Sequence, residues 1–333
     1  MKRFSNLIGA VVSLVVTPAF AVTPSPDGIS VSRPFSQVKQ STKNWRSQLF
    51  KRTVRNAKQR GALCNDGSPG VYYIRPGVGA AKKNWVIHFE GGGACKTESE
   101  CNARWTQDSR AAARGRKSHR MSSKYYPTAI TQKGGIYNPN RKINPTFAGA
   151  TMVFIRYCSS DSHSQSGRKV GRWTMNGKSI AEAVFEDLGT TIPGEGLPNV
   201  RRAKRILLAG SSAGAGGVRA NGATLRGMIA RNIPIHFVLD SGNSGYMRIK
   251  WNERLAQIFS QPISPRLVAC AQAAGASSIP LECVSQWRET VSLRQHGPVF
   301  IFQDLRDAHT TKAYRRQFAK PQVNKADFVK IGK

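Results

Sequence analysis

One apolar run that ends at a serine among small residues constrains this chain more than any other feature. Residues 206–209 read Ile-Leu-Leu-Ala, and residues 210–214 read Gly-Ser-Ser-Ala-Gly. The second block fits G-x-S-x-G, the pattern of a sharp strand-to-helix turn whose small neighbours let a serine hydroxyl stand clear of a sheet. The sequence therefore predicts a nucleophile elbow at Ser212, followed by a helical run over 218–231.

Two short backbone segments are predicted to supply hydrogen-bond donors near this serine. The amide of Ala213 follows Ser212 at the start of a helix, where the N–H groups and the helix dipole favour negative charge. The strand predicted over 85–89 runs directly into a glycine-rich turn, which can expose consecutive N–H groups as the HGGG-type loops of esterases do. Gly92 and Gly93 are the expected donors. A flexible loop and a phosphate cradle are the alternatives, although the lysine and Ser/Thr of a phosphate-binding loop are missing.

The first 21 residues have the pattern of a secretory signal. Lys2 and Arg3 precede an apolar stretch over 7–16, and small residues lead to a cleavage site after Ala21. A membrane anchor is the alternative, but a spanning helix needs about 20 apolar residues and no stretch of the sequence is that long. The sequence predicts a signal peptide over 1–21, no membrane span, and a secreted or periplasmic protein.

An exported chain gives its six cysteines a structural meaning, because oxidising compartments favour disulfides. Cys95 and Cys101 are close in sequence, and Cys270 and Cys283 flank a loop with Gly, Ser and Pro, so each pair can close a local loop. Those pairings leave Cys64 and Cys158 for a long-range link. Other pairings stay open. A zinc site is not favoured, because the chain has no C-x-x-C pair and no Cys/His cluster.

The charge balance is strongly basic, with 51 Lys and Arg against 18 Asp and Glu and a formal net charge of +33. Such a field attracts polyanions. Nucleic acid is one candidate, yet no recognition helix or base-stacking motif for specific binding is present. We expect an exported chain to meet an acidic polysaccharide or an anionic cell surface. The alternative is that the charge only suits the surroundings of the host.

Strand-like runs alternate with helical spacing along most of the chain, which predicts an α/β fold with a mainly parallel sheet and helices on both faces. Polar residues at the strand ends should then meet in one crevice. Residues 22–60 read as a basic polar leader with a short helix over 45–57, and 61–333 as the catalytic domain. Besides 85–89 and the apolar run that begins at 206, the predicted strands are 71–74, 151–158, 235–239 and 298–302, with a helix over 180–188.

Six blocks of sequence, in order, resemble the pectin acetylesterase and Notum family of exported serine carboxylesterases. The resemblance covers roughly residues 60–310. The blocks are 64–69 (CNDGSP), 89–95 (FEGGGAC) with Cys101 after it, 157–161 (YCSSD), 208–214 (LAGSSAG), 240–242 (DSG), and 298–307, from Pro298-Val299-Phe300 to Asp307.

The resemblance implies an α/β-hydrolase-like fold and a serine-esterase site without metal or organic cofactor. Ser212 would be the nucleophile, Asp307 the triad acid, and Asp240 a residue lining the pocket. The oxyanion hole would come from the amides of Gly92, Gly93 and Ala213, and the disulfides would be Cys64–Cys158, Cys95–Cys101 and Cys270–Cys283.

The family removes acyl groups, which are acetate from pectin in plant and microbial members and a lipid from a signalling protein in the animal member. The animal member has a tryptophan where this chain has Gly93. The lipid substrate therefore does not carry over. The expected substrate is an acylated, acidic polysaccharide such as pectin, deacetylated through an acyl-Ser212 intermediate. The oligomeric state is not predicted.

The triad histidine departs from the family pattern. It should follow Asp307 by several tens of residues, but only His309 follows this aspartate. A serine without a base is a weak nucleophile, and losing one triad member costs several orders of magnitude in rate. The chain is therefore incomplete at its C-terminus, inactive, or dependent on another base.

The candidate bases are His309, on the expected side of the acid strand, and His163, in another strand-end loop. His88 and His236 lie inside predicted strands and should be packed there. His119 lies in a basic stretch that we expect at the surface, and His296 lies at the wrong end of its strand. The alternative function is an inactive polyanion-binding protein that retains the hydrolase fold.

Overall fold

A computed structural model describes residues 45–116, 119–191, 196–242 and 285–302 of the 333-residue chain. Eight strands of this part form one central sheet, and two more form a separate hairpin. The strands are β1 (Gln48–Thr53), β2 (Val71–Arg75), β3 (Asn84–Phe89), β4 (Ala129–Thr131), β5 (Thr151–Ile155), β6 (Arg168–Val170), β7 (Trp173–Met175), β8 (Arg205–Ser211), β9 (Ile235–Asp240) and β10 (Val299–Phe302).

The central sheet has the order β10-β9-β8-β3-β5-β2-β1-β4. Strands β5, β3, β8, β9 and β10 run parallel to one another, whereas β2, β1 and β4 continue the sheet in antiparallel pairs. Every residue of β2 and β5 is buried. Continuous apolar runs such as that of β5 are typical of strands covered on both faces. The predicted α/β fold with a mainly parallel sheet is confirmed.

The described part of the chain contains four α-helices: α1 (Glu98–Ala113), α2 (Gly177–Leu188), α3 (Ala213–Met228) and α4 (Ser285–Arg294). Helix α3 contacts both α2 and α4 and lies against β3, β8 and β9. It begins directly after Ser212, as expected from the predicted position of the Ala213 amide, and most of the helical run predicted over 218–231 lies within it. A Cβ atom at Gly214 would lie 2.1 Å from the carbonyl oxygen of Phe89. None of the described helices is long and apolar enough to cross a bilayer.

The short helix expected over 45–57 is wrong. A 3-10 turn at Trp45–Ser47 leads into strand β1, which pairs with β2 and β4. Leu49 of this strand is fully buried in the core. Pairing with two strands distant in sequence decides this conformation, and local periodicity carries no sign of it. Part of the predicted leader thus belongs to the central sheet, while residues 1–44, including the predicted signal peptide, lie outside the described residues.

Two of the three expected disulfides are confirmed. Cys64–Cys158 joins the loop before β2 to the loop after β5, and Cys95–Cys101 closes the entry to α1. The third pair, Cys270–Cys283, lies outside the described residues. The Cys95–Cys101 disulfide packs with Met121, Trp105 and the β6–β7 hairpin in a small core of its own. This second core holds α1 beside the glycine-rich turn that follows β3.

Candidate active site

Ser212 occupies the sharp turn between β8 and α3. Its backbone has φ 56° and ψ −119°, a conformation that non-glycine residues rarely adopt. Its own N–H donates to the carbonyl of Asp240 at 2.8 Å, which ties the turn to the neighbouring strand β9. The local geometry is therefore that of a strained elbow, in which the backbone and not the side chain sets the direction of the serine hydroxyl.

The elbow and the glycine-rich turn lie side by side because β3 and β8 are parallel neighbours. Phe89, the last residue of β3, is opposite Gly210 of β8. The loops that leave the carboxyl ends of two adjacent parallel strands meet at the same edge of the sheet. A cavity of about 430 Å³ opens there. Its lining consists of Glu90, Gly91, Gly92, Gly93, Arg104, Arg116, His119, Arg120, Arg156, Tyr157 and Ser212.

The structure places Gly92 and Gly93 in the same cavity as Ser212. Their φ angles are 151° and 70°, which favour glycine because a Cβ atom makes this region unfavourable. Ala213 follows Ser212 as the first residue of α3, so its N–H has no partner within the helix. Within the described residues, none of these three N–H groups has a hydrogen-bond acceptor. They are therefore available to an oxygen that becomes negatively charged.

Most of the charged side chains that line the cavity are arginines. Arg156 pairs with Glu90 at 2.9 Å, and Arg120 pairs with Asp108 at 2.6 Å. Burial raises the pKa of Glu90, and the nearby Arg156 opposes that rise. Burial disfavours the charge of Arg156 as well, but Glu90 outweighs it and the pKa of Arg156 is raised. Arg104 also lines the cavity and has no ion-pair partner among the described residues, so it adds positive charge beyond these two pairs, which suits an anionic ligand.

Two histidines that lie near the elbow are engaged in hydrogen bonds. The Nε2 of His163 lies 2.9 Å from the carbonyl oxygen of Glu90, and burial lowers the pKa of His163 to about 4. The Nδ1 of His88 lies 2.7 Å from the hydroxyl of Tyr137, and burial lowers its pKa to about 4 as well. Both rings are neutral and structural at pH 7, so neither has the features of a general base poised for Ser212.

The expectation that His119 lies at the surface is wrong. This side chain is only 1% exposed, its ring lies between those of Trp105 and Tyr125, and it reaches the cavity. Its Nδ1 accepts from the N–H of Met121 at 3.1 Å, and its Nε2 lies 3.3 Å from the Ser109 hydroxyl. The basic residues around His119 suggested an exposed position, whereas the two aromatic rings that bury it come close to it only in the folded chain.

Asp240 is not among the described residues that line this cavity. Its carboxylate accepts from the hydroxyls of Ser211 and Ser241, each at 2.8 Å. The Ser211 hydroxyl also lies 3.4 Å from the Nε2 of His88. The sequence expectation for Asp240 was a pocket position, and its register opposite Ser211 in the sheet turns the carboxylate to that serine instead. Sequence reasoning missed this network of Asp240, Ser211, His88 and Tyr137.

The remaining expected site residues, Asp307 and His309, lie outside the described residues. Within the described part of the chain, no side chain forms a hydrogen bond with the Ser212 hydroxyl, and Ser212 is exposed. The strand β10, which ends at Phe302, is the last described element before Asp307 and lies beside β9. Because β10 runs parallel to β9, its last described residue, Phe302, lies at the carboxyl edge of the sheet, on the same side as the elbow.

Comparison with known proteins points to one family. A family model described as pectinacetylesterase matches residues 42–325. The palmitoleoyl-protein carboxylesterase Notum2 of Xenopus laevis is 33% identical over 185 residues, which are 54% of this chain and 34% of that protein. Pectin acetylesterase 7 of Arabidopsis thaliana is 27% identical over 238 residues, or 71% of this chain and 54% of that protein. The chain thus spans about a third to a half of the length of these relatives.

A solved structure supports the architecture. The Wnt deacylase Notum from Drosophila aligns with a TM-score of 0.55 and 24% identity, covering 84% of this chain and 77% of that one. At this identity the likeness concerns the fold. Together with the order and direction of the strands, it shows that the fold is α/β-hydrolase-like, as the sequence predicts.

Proposed function

The chain belongs to the pectinacetylesterase family, and from this premise we propose that it is a carboxylic ester hydrolase with Ser212 as its nucleophile. One observation carries the proposal. Ser212 adopts the strained elbow conformation and shares a cavity with Gly92 and Gly93, whose N–H groups have no acceptor among the described residues. A nucleophile and free amide donors at one site are the parts that acyl transfer requires.

The proposed reaction has two acyl-transfer steps. The Ser212 oxygen attacks the ester carbonyl, and the carbonyl oxygen takes the negative charge beside the amides of Gly92, Gly93 and Ala213. A base takes the serine proton and passes it to the leaving alcohol, which leaves an acyl-Ser212. The base then takes a proton from water, which attacks the acyl group to form a second oxyanion beside the same amides, and the carboxylic acid departs as the base returns the proton to the Ser212 oxygen.

Asp307 and His309 are the proposed acid and base. His309 follows Asp307 by two residues in the sequence. The hydrogen bonds of His88, His119 and His163 support a base that lies outside the described residues. Substitution of His309 by glutamine tests this assignment, because loss of a triad base lowers the turnover number by about 10⁴-fold or more while substrate still binds. Unchanged turnover would remove His309 from the mechanism.

The proposed substrate is an O-acetylated, acidic polysaccharide such as pectin, met outside the cytoplasm. The name of the Arabidopsis relative supports acetate as the acyl group and pectin as its carrier. The arginines of the cavity and the formal charge of +33 support an acidic carrier. The two disulfides and the signal-like start of the sequence support a secreted or periplasmic location.

The test combines turnover with active-site labelling. The wild-type protein, Ser212→Ala and the matched control Ser211→Ala are incubated with acetylated polygalacturonate and with a neutral aryl acetate, and each is treated with a fluorophosphonate probe. We expect acetate release and probe labelling in the wild type and in Ser211→Ala, and neither in Ser212→Ala. Labelling that persists in Ser212→Ala would reject Ser212 as the nucleophile.

A catalytically silent polyanion-binding protein is the alternative that the same experiment addresses. It would show no labelling of the folded wild-type protein, no acetate release, and salt-sensitive retention on immobilised polygalacturonate. Clear labelling of Ser212 would reject this alternative, because the probe reacts with an activated serine.

A further inference from the structure

Arg104 touches the glycine-rich turn from helix α1. Its side chain lines the cavity of Ser212, and its Nη1 donates to the carbonyl of Gly92 at 2.8 Å. The residue as a whole is only 8% exposed. No other described residue donates a hydrogen bond to this carbonyl. Among the described residues, the hydrogen bond from Arg104 is therefore what fixes the direction of the Gly92 carbonyl.

Helix α1 presents Arg104 from a rigid base. The Cys95–Cys101 disulfide closes the chain just before and inside the first turn of α1. Thr97 and Glu100 form a capping box, in which the Thr97 side chain accepts from the N–H of Glu100 and the Glu100 carboxylate accepts from the N–H of Thr97. Arg104 follows one turn later. The segment that connects the glycine-rich turn to α1 is thus fixed by a disulfide and by a capping box, and it sets the position of Arg104.

Holding the Gly92 carbonyl also orients the N–H of Gly93. Both groups belong to one planar trans peptide, in which the C=O and the N–H point in opposite directions. Glycines lie on both sides of this peptide, with φ angles of 151° and 70°, so its two residues have no side chain of their own to restrict its rotation. Without Arg104, the peptide is free to turn and to point a carbonyl where an N–H is needed.

Arg104 differs from the neighbouring arginines because no carboxylate among the described residues forms an ion pair with it. Arg120 and Arg156 each pair with a carboxylate, whereas within the described residues no carboxylate lies in ion-pair distance of Arg104. Its Nε and Nη2 are buried and have no hydrogen-bond partner. Burial of an unpaired cation with unmet donors lowers stability. The site therefore holds a positive charge, at a cost in stability, next to the amides that face the reaction.

We propose that Arg104 is a positioning residue of the oxyanion hole, which fixes the Gly92–Gly93 peptide so that the Gly93 N–H faces the oxygen of the reacting ester. This inference rests on the proposed function of Ser212. It assigns to Arg104 a role in the turnover step rather than in holding the ground-state substrate.

The test compares Arg104→Ala, Arg104→Lys and the control Arg110→Gln with the wild type on a neutral aryl acetate. Arg110 is exposed on the same helix and does not line the cavity. We expect Arg104→Ala to lower kcat by about 100-fold, the range seen when an oxyanion donor is lost, with KM changed by less than about threefold. Arg104→Lys should retain part of the rate, since an ammonium can donate to the Gly92 carbonyl, and Arg110→Gln should match the wild type.

Chemical rescue separates positioning from general destabilisation. We expect guanidinium chloride at low millimolar concentration to raise the kcat of Arg104→Ala at least about fivefold toward the wild type by filling the space of the lost guanidinium, while potassium chloride and urea at equal concentration have no effect. A loss that appears in KM, or an unchanged kcat in folded Arg104→Ala, would overturn the proposal.

A crystal structure of Arg104→Ala, or of Arg104→Lys if the alanine variant does not fold, supplies a readout independent of turnover. We expect the Gly92 carbonyl of the alanine variant, or of a lysine variant whose ammonium does not reach it, to be rotated from its present direction. A Gly92–Gly93 peptide that keeps its orientation without any donor from residue 104 would overturn the inference. If the wild type is neither labelled nor active, the proposed function of Ser212 fails, whereas a labelled, active wild type with a fixed peptide means that only the role of Arg104 fails.

Discussion

Ser211 and Ser212 are neighbours at the end of one strand, yet their surroundings differ in every respect that matters for reactivity. Ser211 keeps strand geometry, donates to Asp240 at 2.8 Å and lies 3.4 Å from the Nε2 of His88. Ser212 has a strained backbone, is exposed to the cavity, and forms no side-chain hydrogen bond with the described residues. Ser211 thus contacts both a histidine and an aspartate, whereas Ser212 is the serine that stands at the elbow.

The two serines differ because the groups that contact Ser211 are already engaged in other hydrogen bonds. Burial lowers the pKa of His88 to about 4, and its Nδ1 is engaged with the Tyr137 hydroxyl. The Ser211 proton already lies in a hydrogen bond to a carboxylate that also accepts from Ser241. These groups satisfy one another and hold the end of β8. The reactivity that we propose for Ser212 rests on the opposite condition, which is a hydroxyl and amides that the described residues leave without hydrogen-bond partners.

The largest expected effect is the difference between the two serines in turnover. Ser212→Ala should lower the rate of aryl acetate hydrolysis by about 10⁴-fold or more, because the covalent step loses its nucleophile. Ser211→Ala should keep the rate within about tenfold, since only a supporting hydrogen bond is lost. Steady-state kinetics on both purified variants measures this difference. Equal losses of rate in the two variants would contradict the proposal that Ser212, and not Ser211, is the nucleophile.

The ion pair between Glu90 and Arg156 provides a stability test for the cavity that contains Ser212. Glu90→Gln should lower the free energy of unfolding by about 3 kcal/mol, because it leaves the buried Arg156 without its carboxylate. The N–H of Tyr157 also loses a charged acceptor. Urea unfolding followed by circular dichroism gives the value. The matched control is Glu182→Gln on the exposed side of α2, where a long 3.9 Å pair with Lys178 should contribute less than about 1 kcal/mol.

The pH dependence of the unfolding free energy tests the surroundings of Ser211, where His88 is buried. The folded pKa of His88 is about 4 and lies below the ordinary value of 6.5, so the unfolded chain binds the proton more tightly and stability falls as pH drops from about 6.5 toward 4. His88→Phe should reduce the loss of unfolding free energy between pH 7 and pH 4.5 by about 2 kcal/mol. Urea titrations at the two pH values measure it. An unchanged pH slope would mean that His88 is not buried in its neutral form.

The smallest expected effect concerns Asp240. Asp240→Asn weakens the hydrogen bonds from Ser211 and Ser241, so we expect a loss of about 1–2 kcal/mol in unfolding free energy and less than about tenfold in turnover. Thermal unfolding and aryl acetate kinetics give both values. A collapse of turnover like that expected of Ser212→Ala would instead place Asp240 in the triad and remove Asp307 from it.

Local patterns predicted the elements that border the site, and contacts between distant segments account for the misses. Strands β3 and β8, with the turns that follow them, were readable because an apolar run stops at small residues in both. Strand β1 was mistaken for a helix because its partners β2 and β4 are what make it a strand. His119 looked exposed because the rings of Trp105 and Tyr125, which enclose it, have no signature in the basic sequence between them.

By itself, the sequence determined that a serine would stand on a strained corner and that glycines would follow a neighbouring strand, since both depend on the small size of adjacent residues. Only the tertiary structure decided that Ser211 donates to Asp240 and that Arg104 holds the Gly92 carbonyl. Backbone corners are set by steric limits within a few residues, whereas hydrogen-bond partners and charge balance are set by groups that meet only when the sheet assembles.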